Sequence, residues 1–254
     1  ALCKPAEVAG FDYAWFFYSH VLWRECYTTM AVCMRETKRI RFGPCVTNPL
    51  VRDWTVASSV FATMCDISDG RFDLGVGRGD SSRRLLGLKP SSLEEMRDFT
   101  IFTQTMVAGK SVEYLGKSQE LTWTHGHKMP AWVAAYGPKA LAQAGEYADG
   151  LILQIGDPWL VKWFADQAKE ATRKAGRPES ALRIMSAAPV WIGDINKCRE
   201  QTRWFPAMVG NHVADLVERY GKEGGSVPKR LTDYIEGRKG YDYKHHADKD
   251  ADHL

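Results

Sequence analysis

Apolar residues in this chain come in short unbroken runs, separated by stretches where they recur every three or four positions. The runs read as strands and the periodic stretches as helices. FDYAWFF (11–17), RIRFGPCV (39–46), RFDLGVG (71–77), PAWVAAYG (130–137) and LILQI (151–155) predict five strands. LRIMSAAPVWIG (182–193) predicts a sixth, or a pair of strand pieces. Helices are predicted around 25–35, from Trp54 to Ile67 behind an Asp53 N-cap, and along Leu93, Met96, Phe99, Phe102 and Met106 behind a capping box at Ser91 or Ser92. Two more start at Pro138 and at Asp157-Pro158, the latter ending near Gly176. SVEYLGKSQELTWT (111–124) alternates around Gly116 like a surface hairpin, and 195–254 is polar and helical with a break at Gly224-Gly225.

Strand and helix alternate without a linker or a shift in composition, which argues for one parallel α/β domain. Strands that are apolar throughout fit a sheet buried on both faces. A doubly wound sheet and a (β/α)₈ barrel both satisfy this pattern.

Composition narrows the function. Lys+Arg 34 against Asp+Glu 31 leaves +3 over 254 residues, which is no electrostatic footprint for nucleic acid or an anionic membrane. No apolar run approaches the ~20 residues of a membrane span, and ALCKPAEVAG at the start lacks the pattern of a signal peptide. Six cysteines without a C-x-x-C or a secreted-type framework lead us to expect a reducing, cytoplasmic setting.

In parallel α/β folds ligands bind at the carboxyl ends of the strands, so the residues just past each strand matter most. Those positions hold Ser19 and His20; Thr47 and Asn48; Arg78, Gly79 and Asp80 with Ser81, Ser82, Arg83 and Arg84; Tyr136 and Gly137; and Gln154 with Asp157. Polar groups at one strand end after another point to a site. Two nucleotide motifs fail: Gly75-Val76-Gly77-Arg78-Gly79 meets Asp80 where a dinucleotide fingerprint needs glycine, and Gly109-Lys110-Ser111 has Gln104 in place of the P-loop's upstream glycine. The three glycines instead suit a tight turn, or a floor low enough for a flat ring. No metal is expected: His125-Gly126-His127 reads as a solvated pair, and His245, His246, Asp248, Asp250, Asp252 and His253 as a charged surface. Arg35, Lys38, Arg39 and Arg41 read as a solvated helix end, and Cys45 as a packed strand cysteine.

GFDYAWFFYSH, RIRFGPCVTNP, DGRFDLGVGRGDSSRRLLGLKP and WVAAYGPKALAQAGEYADGLILQ, in that order, resemble the luciferase-like (β/α)₈ flavin- and deazaflavin-dependent oxidoreductases. The resemblance covers roughly residues 1–195 and lies nearest the deazaflavin-using branch. It implies a TIM barrel, a deazaflavin coenzyme (F-420 type), hydride transfer to or from a small organic substrate, and a homodimer. His20 matches the branch's active-site histidine. Asp80 matches a proton-donating glutamate and is one methylene shorter. Cys45–Val46 matches a non-proline cis peptide behind the ring, with Thr47, Asn48, Gly77, Gly79, Ala134, Ala135, Tyr136, Gly137 and Gln154 lining the cofactor. The start of the helix at Gly137-Pro138, with Lys139, suits an anion. Two alternatives stay open: an FMN-dependent monooxygenase using oxygen on the same scaffold, and a flavin-binding protein without turnover. The resemblance also sets the family's first strand before Ala1 and its eighth after Leu254. The chain thus reads as the middle of a longer barrel with an insertion at about 111–128, and poor stability is expected of it alone.

Overall fold

A computed structural model of the chain describes residues 2–220, 227–236, 241–245 and 247–251. The Gly224-Gly225 break, His246, Asp252 and His253 lie outside them. The chain divides into two compact units, Ala1–Ala134 with Tyr147–Gly150, and Ala135–Glu146 with Leu151–Leu254.

In the first unit the buried apolar runs pair side by side. β1 (Tyr13–Phe16) and β2 (Arg41–Pro44) are parallel, from Tyr13 against Arg41 to Phe16 against Pro44. β3 (Leu74–Val76) lies beside β2 through parallel bridges between Phe42 and Phe72 and between Thr47 and Val76. β4 (Val112–Tyr114) and β5 (Lys117–Gln119) form the expected antiparallel hairpin, turned by Leu115 and Gly116 at φ 52° and 73°. β6 (Ala131–Ala134) pairs in parallel with β3. Parallel neighbours need long crossovers, which the helices Cys26–Arg35, Trp54–Ser68 and Leu93–Val107 supply.

These helices start where the caps predict. Asp53 accepts the Thr55 N–H at 2.8 Å. Of the two candidate serines, Ser92 makes the capping box with Glu95. Ser91 is buried instead, with its N–H and hydroxyl both donating to the Arg78 carbonyl. The helices contribute buried Met30, Met34, Phe61, Met96 and Phe99 and the strands buried Phe42, Phe72 and Leu74, with Phe61 stacked on Phe72.

The second unit holds β7 (Gly150–Leu153) from Leu151 onward, beside β8 (Arg183–Ser186) and joined to it where Ala187 N–H donates to Leu153 O at 2.8 Å. The helix Pro158–Lys174 is capped by Asp157, which accepts from Trp159 and Leu160. It packs closely on the helix Pro138–Tyr147: a Cβ on Gly145 would sit 2.6 Å from Thr172 N. Helices Ile195–Thr202, Trp204–Tyr220 and Lys229–Glu236 come next. The sixth predicted strand ends early, at Ser186. Beyond it Pro189 has no N–H to pair, and Val190 and Ile192 are 82% and 92% exposed, with no strand among the described residues beside them.

Arg41 also departs from expectation, being no solvated helix-end cation. Its Nε donates at 2.8 Å to Asp73, a carboxylate with no solvent exposure, and its Nη2 reaches the same oxygen. The other oxygen of Asp73 accepts from Trp132 Nε1 at 2.8 Å. The carboxylate thereby ties β2 and β6 to the strand between them. Breaking such a buried pair from one side leaves the other side's donors stranded, at a cost of about 3–5 kcal/mol. Asp73→Ala should lower the urea midpoint by the equivalent of that amount with an unchanged m-value.

Glu7, at the end of the first helix (Cys3–Val8), accepts backbone N–H groups of Ile40 (2.9 Å), Arg39 (2.6 Å) and Lys38 (3.0 Å). These bonds, Ile40's the largest, hold its carboxyl down from 4.5 to about 2. A depressed carboxyl stabilises the fold above its unfolded pKa, and the gain drains away as pH falls towards the folded value. Stability should therefore decline between about pH 4.5 and 2, and Glu7→Gln should flatten that part of the pH profile in thermal melts.

Candidate active site

The first unit gathers its polar strand-end residues around a floor of small ones. After β2 the chain passes through a cis Cys45–Val46 peptide. It stays paired with the β3 strand beyond the regular ladder: Thr47 N–H donates to Gly75 O and Gly77 N–H to Thr47 O, both at 2.9 Å. Val46 then lies over Gly77, where a Cβ would come 2.7 Å from Val46 Cγ2 and 3.6 Å from Ala134 Cβ. The ends of β2, β3 and β6 thus meet in close packing around Gly77. Cys45 is only partly covered, yet the packing around its sulfur pushes the thiol up to about 12. It is a packing group and no thiolate nucleophile.

Polar groups rim this floor. Thr47 and Asn48 are buried. Asn48 donates from Nδ2 to Ser82 Oγ at 2.9 Å and accepts the Leu50 N–H at 3.0 Å, so both ends of its amide hold the rim together. Gly79 bends the chain after β3 at φ 89° and leaves Asn48 its room: a Cβ there would lie 2.8 Å from both Asn48 Cγ and Arg83 Cγ.

The loops bearing His20 and Asp80 are brought together by a direct hydrogen bond between the hydroxyls of their neighbours, Ser19 and Ser81. His20 itself is exposed. The Asp80 side chain is 31% exposed and forms an ion pair with Arg84 Nε at 2.6 Å, one turn along the short helix Ser81–Arg84.

Ala135, Tyr136, Gly137 and Gln154 form a separate group in the second unit. The Tyr136 hydroxyl accepts from the Gln154 backbone N–H at 2.8 Å, so the main chain of Gln154 makes this contact. The Tyr136 ring lies flat on His212, with centroids 6.0 Å apart and planes 9° apart, and edge-on to Phe164. Ala135 is buried, and the Gly137 carbonyl accepts the Leu141 N–H as the helix begins. Lys139 is exposed beside it.

Trp15 is half-buried in an aromatic cluster: it stacks on Tyr13 and meets Trp132 edge-on, each at 5.6 Å. Trp23 stacks on Phe17 near the first strand's end. Two groupings escaped the sequence. Arg52 donates to Tyr18 Oη at 3.1 Å and to Glu25 at 2.8 Å, and lies 5.1 Å from the ring centre of buried Tyr27. Its position just past β2 was the available signal. His212 comes from the polar tail, where nothing in the spacing marks it.

Gly79→Ala should cost about 1–3 kcal/mol in stability, because the side chain meets both a left-handed backbone and Asn48. A urea titration measures it.

The profile of the luciferase-like monooxygenase family matches residues 1–252. The chain is 30% identical over 237 residues to the 5,10-methylenetetrahydromethanopterin reductase of Archaeoglobus fulgidus, covering 88% of this chain and 70% of that protein. It is 29% identical over 195 residues to the F420-dependent hydroxymycolic acid dehydrogenase of Mycobacterium tuberculosis, covering 68% of this chain and 54% of the other. Among solved structures, the coenzyme F420-dependent tetrahydromethanopterin reductase from Methanopyrus kandleri superposes with a TM-score of 0.74 at 22% identity, over 93% of this chain and 75% of the other. That likeness is one of fold: the TIM barrel expected from the sequence.

Proposed function

This chain belongs to the luciferase-like monooxygenase family, and we propose that it is an oxidoreductase that moves hydride between a deazaflavin coenzyme and a small organic substrate. Similarity to a methylenetetrahydromethanopterin reductase and to an F420-dependent dehydrogenase supports this reading. The structural observation that carries it is the low floor of Val46, Gly77 and Ala134. Val46 closes over Gly77 with Ala134 beside it, so the strand ends make one tightly packed floor suited to a face of a flat ring. When bound, the coenzyme supplies hydride transfer.

The protein's own residues orient, shield and handle protons. Cys45, Val46, Gly77 and Ala134 would provide a face for the ring. Thr47, Asn48 and Gly79 shape its polar edge, with Asn48 braced by Ser82. In the second unit Ala135, Tyr136, Gly137 and Gln154 are candidate cofactor contacts by the family resemblance, with the helix start at Pro138 and Lys139 suited to an anionic group. His20 and Asp80 are the acid and base. His20 is the better placed to exchange a proton, being exposed on a loop that Ser19 pins to Ser81. Asp80 acts as a carboxylate held by Arg84.

The family's description also favours a second reading, a monooxygenase that uses reduced FMN and oxygen. Fluorescence titration with the deazaflavin coenzyme should saturate, and turnover of a reducible or hydroxylated substrate should track coenzyme absorbance without oxygen uptake. Tight FMN binding with substrate-dependent oxygen consumption would overturn the proposal in favour of the monooxygenase. His20→Ala should lower kcat by about 10²–10⁴-fold, the usual worth of general acid–base catalysis, and leave coenzyme affinity nearly unchanged.

A further inference from the structure

His125 and His127 were read from the sequence as a solvated pair, and the fold gives them a common partner. Asp66, in the last turn of the helix Trp54–Ser68, presents Oδ1 at 3.1 Å from His125 Nδ1 and 3.0 Å from His127 Nε2. One ligand atom from each of the three residues lies within 4.8 Å of the others. Gly126, at φ 74°, reverses the chain between the two histidines and turns both imidazoles to the same carboxylate oxygen.

We propose that Asp66, His125 and His127 bind a first-row divalent cation, zinc by their donor chemistry. Two imidazoles and a carboxylate are a zinc-type donor set, and a tetrahedral ion with bonds of about 2.0–2.1 Å holds neighbouring ligands roughly 3.3 Å apart. Asp66 already stands within a few tenths of an ångström of that spacing from each histidine. Asp66 and His127 are largely covered, with side chains 18% and 21% exposed. They form the covered part of the site, while His125, 79% exposed, stands at its solvent edge. Water takes the fourth position. The neighbouring Cys65 is buried and does not belong to this group of donors.

The position says what the ion does. Asp66 closes the helix that leads into β3, and the histidines lie in the stretch 121–130, which has no helix or strand and leads into β6. Both lie at the amino ends of their strands, opposite the carboxyl ends where the candidate active site gathers. In barrels of this kind that face serves stability. Zinc here clips an irregular segment to the helix it crosses.

The test is titration of the metal-stripped full chain with zinc chloride, read by calorimetry and thermal melting. One zinc should bind per chain and raise Tm by about 5 °C at a hundredfold excess over Kd, with magnesium chloride producing no shift. His125→Ala, His127→Ala and Asp66→Asn should each weaken zinc at least about tenfold. His125→Ala should do so without changing the metal-free Tm, since that ring is mostly in solvent. His245→Ala, in the tail, should leave zinc binding intact. No saturable zinc binding, unchanged affinity in both histidine variants, or loss of binding in His245→Ala would each overturn the proposal.

Discussion

Asp73 is the constraint on which the first unit depends. A carboxylate with no access to water must find its donors in the protein, and it finds them in Arg41 at the start of β2 and Trp132 within β6. A shift of either strand by one residue would turn those donors to the opposite face. The three strands are therefore locked in register by one buried charge. Around it the packing leaves no room for adjustment: a Cβ on Gly43 would run into Trp15 and the Asp73 carbonyl oxygen, and one on Gly75 into the Pro44 carbonyl oxygen.

That register decides what emerges at the carboxyl ends. Because β2 and β3 are held in step, Thr47 continues the pairing past Pro44 and Val46 comes to rest over Gly77. The rim then arises from local demands. Gly79 turns the chain where a side chain would strike Asn48, and Asn48 reaches Ser82. Ser81 meets Ser19, drawing together the loops that carry His20 and Asp80. The site is thus a consequence of strand alignment made some 10 Å deeper in the sheet, at about 3.3 Å of rise per residue.

The two ends of the strands carry different chemistry. The carboxyl ends hold small residues and hydroxyls suited to a flat organic ring, with one exposed imidazole and one paired carboxylate. The amino ends hold the Asp66, His125 and His127 cluster and the Glu7 carboxylate that fastens the first helix to the backbone at 38–40. In the reading proposed above, turnover belongs to the first face and stability to the second, so substitutions at the amino ends act on folding before they act on turnover.

Elements were legible because their signals are local. Apolar runs set the strands, Asp53, Ser92 and Asp157 capped their helices, and Gly116 turned the hairpin. The motif blocks also revealed the family, since a strand and the polar residues just beyond it are contiguous in the chain. Long-range pairings were not legible. Arg41 looked like one of several surface cations until Asp73, 32 positions away, gave it a buried partner. Ser91 and Ser92 offered the same capping motif, and only the carbonyl of Arg78 drew Ser91 inward. His125 and His127 looked solvated until the helix end brought Asp66 to them across more than fifty residues. A sequence determines backbone preference, which depends on near neighbours. The partner of a charge or an imidazole depends on which distant segments share space, and the tertiary structure alone decided that.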